Sequence, residues 1–385
     1  MKILFHCWEY PPHSGGVGRY IQNMSQALAT TGHVAVIATG KAEGMPEYTE
    51  QNNVIIHRCF SKDDIYDRNT AELVLNIANK YEVDLIEGAD HLGCSSSLLS
   101  CNNRPPVVIK CHSCSILHAA NEKAHVIHSW QKWAIRLARL RAWRQTRHEK
   151  CSIEQADFLT APSGKIFEEM ISQGIQLPMR KMVIPNPIGK IESMVPGEAT
   201  RPTILFIGRL DIGKGIQYLP GLLRSVSQQI PGVRLEIAGA DSYARGLGSL
   251  REWLKKGFGE YENQVHWRGY LTEQGVQKAL QQAWVVVIPS RWDTFPTVLL
   301  ETMVHGKAAV VSDQGGIPEM TAGCDIPVCS PEQEVFAENV IELLRNADKR
   351  KLVGASGYNK ALKDYSPNTI TTKYIEMAEM VLGSC

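Results

Sequence analysis

Two stretches of this chain open in the same way, and that repetition limits the fold more than any other feature. Lys2–Cys7 is a short apolar run, followed by the loop HSGGVGRY, a helical stretch over Ile21–Ala29 that stops near Gly32, and a second apolar run at His33–Thr39. Thr203–Ile207 (TILFI) repeats the order, with the loop GRLDIGKG, a helix to about Ile230 and a strand at Val233–Ala238. Short continuous apolar strands alternating with helices predict parallel sheets covered on both faces. The chain therefore reads as α/β, with two Rossmann-like, doubly wound domains.

Other runs extend the scheme. Leu85–Ile86, Val107–Lys110, Phe158–Ala161 and Lys181–Ile184 fit the first domain, and Val285–Pro289 and Ala308–Ser312 the second. Pro185 to Pro202 has four prolines and no periodicity, which marks a linker. After Ser366-Pro367 a last helix runs to about Leu382 and can cross back onto the first domain. The expected division is 1–190, 191–366 and a crossover helix at 367–385. A length of 385 residues suits two domains. With 44% hydrophobic and 21% charged residues, disorder, collagen and coiled coil are excluded.

The formal net charge of +1 argues against a nucleic-acid partner recognised by bulk charge. No apolar run reaches the ~20 residues that span a bilayer. The opening MKILFHCWEYPP lacks the apolar core and cleavage site of a secretory leader. Ten singly scattered cysteines suit a reducing, cytoplasmic setting. Cys111 and Cys114 bracket His112, but no second such pair completes a zinc site, so they read as plain thiols. The segment 123–150 carries eight Lys/Arg, one acid (Glu149) and Trp130, Trp133 and Trp143. It reads either as a helix with a buried stripe and a solvated basic face, or as a peripheral contact with anionic membrane or an anionic acceptor.

Three loops can carry chemistry. In HSGGVGRY, glycines let the backbone approach a ligand, and a following helix offers N–H groups to phosphate. The third glycine of the dinucleotide fingerprint is missing, and ATGK ends the second strand without a ribose-binding acid. In GRLDIGKG, Arg209 and Lys214 lie five apart, two cations able to neutralise a diphosphate. In SRWDTFPTVLLETMVHGK, Pro296 suits the first turn of a helix running to about His305. Asp293 precedes that turn, and Glu301 lies eight residues later inside it. The amides of Thr297 and Val298 are expected free at its start.

Together these residues resemble the retaining, nucleotide-sugar-dependent glycosyltransferases of family 4, of the GT-B architecture. The resemblance covers nearly the whole chain. It rests on Gly15-Gly16 with LATTGHVAVIATG behind it, His112 after VVIK, VIPNP at 183–187, GRLDIGKG, HWRGYL at 266–271, the acidic pair, and GGIPE at 315–319, in the family's order. It implies two domains facing across a cleft, the donor mainly on the second and the acceptor mainly on the first. Glu301 then matches the acid that holds the ribose hydroxyls. Asp293 matches the acid at the donor sugar, where the family usually has Glu. Arg209 and Lys214 match the grip on the diphosphate, and Gly15 and Gly16 the backbone near the β-phosphate. His112 matches a histidine at the reaction centre. The main chain around Arg268 and Tyr270 matches the base-binding turn, and Phe295, Thr297 and Val298 complete the donor set, with Pro296 in place of the usual Gly.

The implied reaction moves a hexosyl group, with UDP-glucose as the expected donor, to a saccharide or lipid-linked saccharide of surface or exopolysaccharide. No nucleophile is evident on the sugar's β face, so front-side transfer with the leaving phosphate as base is expected. No Asp-x-Asp motif is present and no metal or other cofactor is expected; Asp63-Asp64 lies in a polar loop away from every motif. An epimerase or glycosyl phosphorylase of the same architecture and a non-catalytic nucleotide-sugar-binding or scaffold protein are the alternatives. A phosphorylase needs a pyridoxal lysine and a far longer chain.

Overall fold

Both opening apolar runs become central strands in the computed structural model. It describes the chain apart from residues 13–14, 66, 113, 118–142, 190–196, 245 and 384–385. Most of the basic segment, 118–142, and the middle of the proline-rich stretch, 190–196, thus lie outside the described residues.

The chain divides into two units, Met1–Gly189 with Tyr365–Cys385, and Lys190–Asp364. The first unit is built on β1 (Lys2–His6), β2 (Val34–Gly40), β3 (Tyr48–Gln51), β4 (Val54–Phe60), β5 (Leu85–Ala89), β6 (Val107–Lys110), β7 (Phe158–Ala161) and β8 (Lys181–Val183). They form one sheet in the order β3-β4-β2-β1-β5-β6-β7-β8. All neighbours are parallel except β3, which runs antiparallel to β4. Alternate residues face opposite layers. Ile3, Phe5, Ile37, Leu85 and Val108 pack with α1 (Gly16–Thr30) and with the last helix, Pro367–Leu382. Leu4, Val36, Ile86, Val107 and Ile109 pack into the core on the other face. Burying one such side chain contributes about 1.5–3 kcal/mol.

The glycines of the first loop do not precede the helix at a distance, as the apolar spacing alone suggests. They start it. Gly15, in extended conformation, is the N-cap, and α1 begins at Gly16. The last helix starts where Ser-Pro places it: the Ser366 hydroxyl accepts from the Thr369 amide, and Pro367 fills a first-turn position that needs no donor. Its residues Ile370, Tyr374, Met377 and Val381 share a core with Tyr20, Met24 and Leu28 of α1.

The second unit carries β9 (Thr203–Ile207), β10 (Arg234–Ala238), the hairpin β11 (Tyr243–Ala244) and β12 (Gly248–Ser249), β13 (Val265–Gly269), β14 (Val285–Ile288) and β15 (Ala308–Val311). Its main sheet is parallel, in the order β13-β10-β9-β14-β15. The order reverses between β9 and β14, and loops beyond the carboxyl ends of such a strand pair are where open α/β sheets bind ligands. Among the described residues, no helix is long and apolar enough to cross a membrane.

Candidate active site

In the second unit, the loops after β9 and β14 meet at the switch point. Gly208 donates to the Ala238 carbonyl and Leu210 to that of Ala240, which holds the first loop to its neighbour. Asp211 then folds a tight turn, its Oδ1 accepting from the Gly213 amide at 2.7 Å. Gly215, at φ +76°, ends that turn with its Cα packed on the Pro289 carbonyl. The left-handed break is why no long helix follows Lys214 directly; the regular helix starts only at Leu219 and ends at Ser227. Arg291 donates its amide to the Gly213 carbonyl at 2.9 Å, so the two loops are joined through the backbone as well.

The side chains complete the junction. Lys214 Nζ donates to Asp293 Oδ2 at 2.6 Å, across 79 positions of sequence. The Asp293 side chain is 10% exposed and that of Lys214 38%. The carboxylate is thus largely buried while the ammonium keeps a face to solvent. Arg209 is more open and, among the described residues, pairs only with Asp211, at 3.3 Å. Asp293 is also held from behind: its carbonyl accepts from the Gly316 amide at 2.8 Å, and Gly315 packs against its main chain. The motif GGIPE therefore acts as a backstop for Asp293.

Asp293 does not cap the helix behind it. That place belongs to Pro296, outside the first turn where the sequence put it, and α2 of this site runs Thr297–Val304. With φ −63° and ψ 117°, Pro296 has an extended ψ that excludes it from the helix. Leu299 and Leu300 donate to the Pro296 carbonyl, whereas the amides of Thr297 and Val298 have no acceptor among the described residues. Phe295 is buried, and Glu301 is half-buried on the helix. Arg268 on β13 spends its guanidinium on Glu236 and Gln282, each at 2.7 Å. Its side chain is committed to the sheet, leaving the main chain of the turn. There Gly269 (φ +66°) accepts from Gly239, and Tyr270 stands exposed.

In the first unit, His112 lies just beyond β6. Its amide donates to Asp90 Oδ1 at 2.8 Å, and its ring meets Tyr20 edge-on. Burial, then the charges of Lys110 and His91, pushes its pKa well below the ordinary histidine value, so the ring is neutral at pH 7. The Cα of Gly16 has open space where a side chain would go, and the amides of Gly16, Val17 and Gly18 have no acceptor among the described residues. Cys111 and Cys114 are buried in the core, and burial raises both thiols.

Three site-shaping residues escaped the sequence reading. Asp211 carried a signal, an Asp opening a glycine turn. Asp90 carried none beyond ending a strand. Glu149, the lone acid of the basic segment, is wholly buried and accepts from the amides of Leu92 and Ser115 at 3.1 and 2.7 Å, fixing the loops after β5 and β6. It stands on the helix Trp143–Gln155.

Residues 14–189 match the model of glycosyltransferase family 4, and residues 201–346 that of glycosyl transferases group 1. An uncharacterized glycosyltransferase of Methanocaldococcus jannaschii is 28% identical over 343 residues, covering 83% of this chain and 82% of its own. The structure of sucrose-phosphate synthase from Thermosynechococcus elongatus superposes with a TM-score of 0.78 at 18% identity, over 100% of both chains. The Anabaena protein HepE, in complex with UDP-glucose, superposes with a TM-score of 0.73 at 17% identity, over 99% of this chain and 100% of its own.

Proposed function

The chain belongs to the glycosyltransferases of group 1 and family 4, of GT-B type, and from that premise we propose that it is a retaining hexosyltransferase using a uridine diphosphate sugar, UDP-glucose first among them. The acceptor is a hydroxyl of a saccharide or lipid-linked saccharide of surface or exopolysaccharide. The observation that carries this reading is the Lys214–Asp293 junction at the switch point of the second unit, with Arg209 and two amides that have no acceptor among the described residues alongside.

Each group has a task in that reaction. As the bond from the anomeric carbon to the diphosphate breaks, its electron pair stays on the diphosphate oxygen, whose negative charge grows. Lys214, Arg209 and the helix amides stabilise that charge as it develops. The acceptor oxygen bonds the anomeric carbon from the same face, and its proton passes to the departing phosphate. Glu301 holds the ribose, which does not react. His112 attends the sugar, where its neutral ring can accept a hydrogen bond without adding positive charge beside an oxocarbenium-like centre.

The donor assignment is checked by thermal shift with UDP, GDP, ADP and UDP-glucose. A ligand at 100 times its Kd adds about 2.7 kcal/mol. UDP and UDP-glucose are expected to raise Tm most; stronger stabilisation by GDP or ADP would replace the base. Charge neutralisation by side chains and helix amides also predicts that UDP release from the donor continues in EDTA. A loss of activity in EDTA restored by manganese or magnesium would assign that role to a metal instead.

A further inference from the structure

Beneath His112 the first unit buries a group of polar side chains that the transfer chemistry does not use. Lys110 on β6 is 1% exposed and Glu87 on β5 3%. Both face α1 and the last helix, as Val108 and Leu85 of the same strands do. The Lys110 ammonium donates to the carbonyl of Ile184 and lies 4.9 Å from the centroid of the Tyr20 ring. It makes no direct ion pair with Glu87, though their charges act on each other. Tyr374 of the last helix and Tyr20 of α1 flank the Glu87 carboxylate, short of full hydrogen-bond geometry. Burial lifts Glu87 to about 7 and lowers Lys110 to about 8.

Tyr20 also touches the candidate site. Its ring meets that of His112 with centroids 4.7 Å apart and an interplanar angle of 61°. No described residue hydrogen-bonds either ring nitrogen of His112, and Nε2 is buried. Among the described residues, it is packing against Tyr20 rather than a hydrogen bond that orients this imidazole.

We propose that Lys110 and Glu87 are positioning residues: Lys110, anchored on the Ile184 carbonyl and balanced by Glu87, holds the Tyr20 ring, and Tyr20 fixes the orientation of His112. A purely structural role explains them poorly. Burying an ammonium and a carboxylate costs several kcal/mol, and well-packed apolar replacements of such a pair are often neutral or stabilising. The structure keeps the charges around Tyr20, an aromatic ring that touches His112. The consequence for catalysis rests on the reading that His112 serves the donor sugar; the orientation of His112 does not.

The test uses the full chain with nitrogen-15-labelled histidine, the His112 signals being assigned by their loss in His112→Gln. The variants are Lys110→Met and the double change Glu87→Leu with Lys110→Met, which removes both charges and is expected to fold even if the single variant does not. In the folded double variant, Tm should be maintained or raised while the His112 ring signals shift or broaden. UDP release should fall about a hundredfold in kcat with donor KM nearly unchanged, the scale of a misplaced group at a reaction centre. A folded double variant whose His112 signals match wild type overturns the proposal, whatever its activity. Shifted His112 signals with normal kcat sustain the positioning network and remove His112 from the reaction instead.

Discussion

Replacing Lys214 by alanine is expected to lower kcat for UDP release by about a hundredfold or more, since removing one donor aimed at developing charge costs about 3–4 kcal/mol of barrier. The geometry adds a second loss. Lys214 forms an ion pair with Asp293, whose side chain is only 10% exposed. Without the ammonium, a largely buried carboxylate is left facing the place proposed for the diphosphate, and donor KM should rise as well. Adding Asp293→Asn to Lys214→Ala should therefore recover much of KM and none of kcat. Arg209→Ala is expected to be milder, because that guanidinium is 65% exposed and water screens it. A Lys214→Ala enzyme with near-normal kcat would show that the diphosphate is held elsewhere, and the assignment of this site would fall with it.

The Lys214–Asp293 pair also marks the limit of what the sequence disclosed. Each residue could be singled out, because glycine loops and a helix mouth behind an apolar strand have a recognisable pattern. The contact could not. It depends on the strand order that places β9 beside β14, with the pairs Ile204↔Val285 and Leu205↔Val286. The family resemblance gave these two residues to different parts of the donor, the diphosphate and the sugar. In the structure they neutralise each other, and the shorter Asp at 293 reaches the lysine directly.

The same distinction applies to the fold. Strands buried on both faces, such as Val107–Lys110 and Phe158–Ala161, appear at the bounds their apolar runs give. The strand Tyr48–Gln51 was invisible because all four residues are exposed, and a polar edge strand has no apolar run. The strand Val265–Gly269, half-buried at the sheet's edge, showed only as a motif. Lys110 is the harder case. A lysine ending an apolar run reads as the point where a strand meets water, and only the tertiary structure puts an aromatic face, a carbonyl and a carboxylate around its ammonium.

Gly315→Ala should disable the site without touching any donor-binding side chain. Gly315 sits at φ +63°, where a residue with a Cβ costs about 1–3 kcal/mol. A Cβ there would also lie 2.0 Å from the Asp293 carbonyl oxygen and 3.0 Å from its amide nitrogen. Those are backbone atoms that cannot swing aside, so the loop must move, at a further cost of about 1–3 kcal/mol. Together they predict a fall in Tm of roughly 4–24 °C for the second unit. Gly323 supplies the control. It has a similar φ of +79°, but nothing lies within 4 Å of its would-be Cβ. Gly323→Ala should show the backbone cost alone and keep kcat. In Gly315→Ala, the displaced Asp293 main chain carries its carboxylate off Lys214, so kcat should fall beyond what the melting curve explains. Equal Tm losses in the two variants would refute the packing argument. A Gly315→Ala enzyme that is destabilised yet fully active below its Tm would show that transfer does not require Asp293 to be held in place.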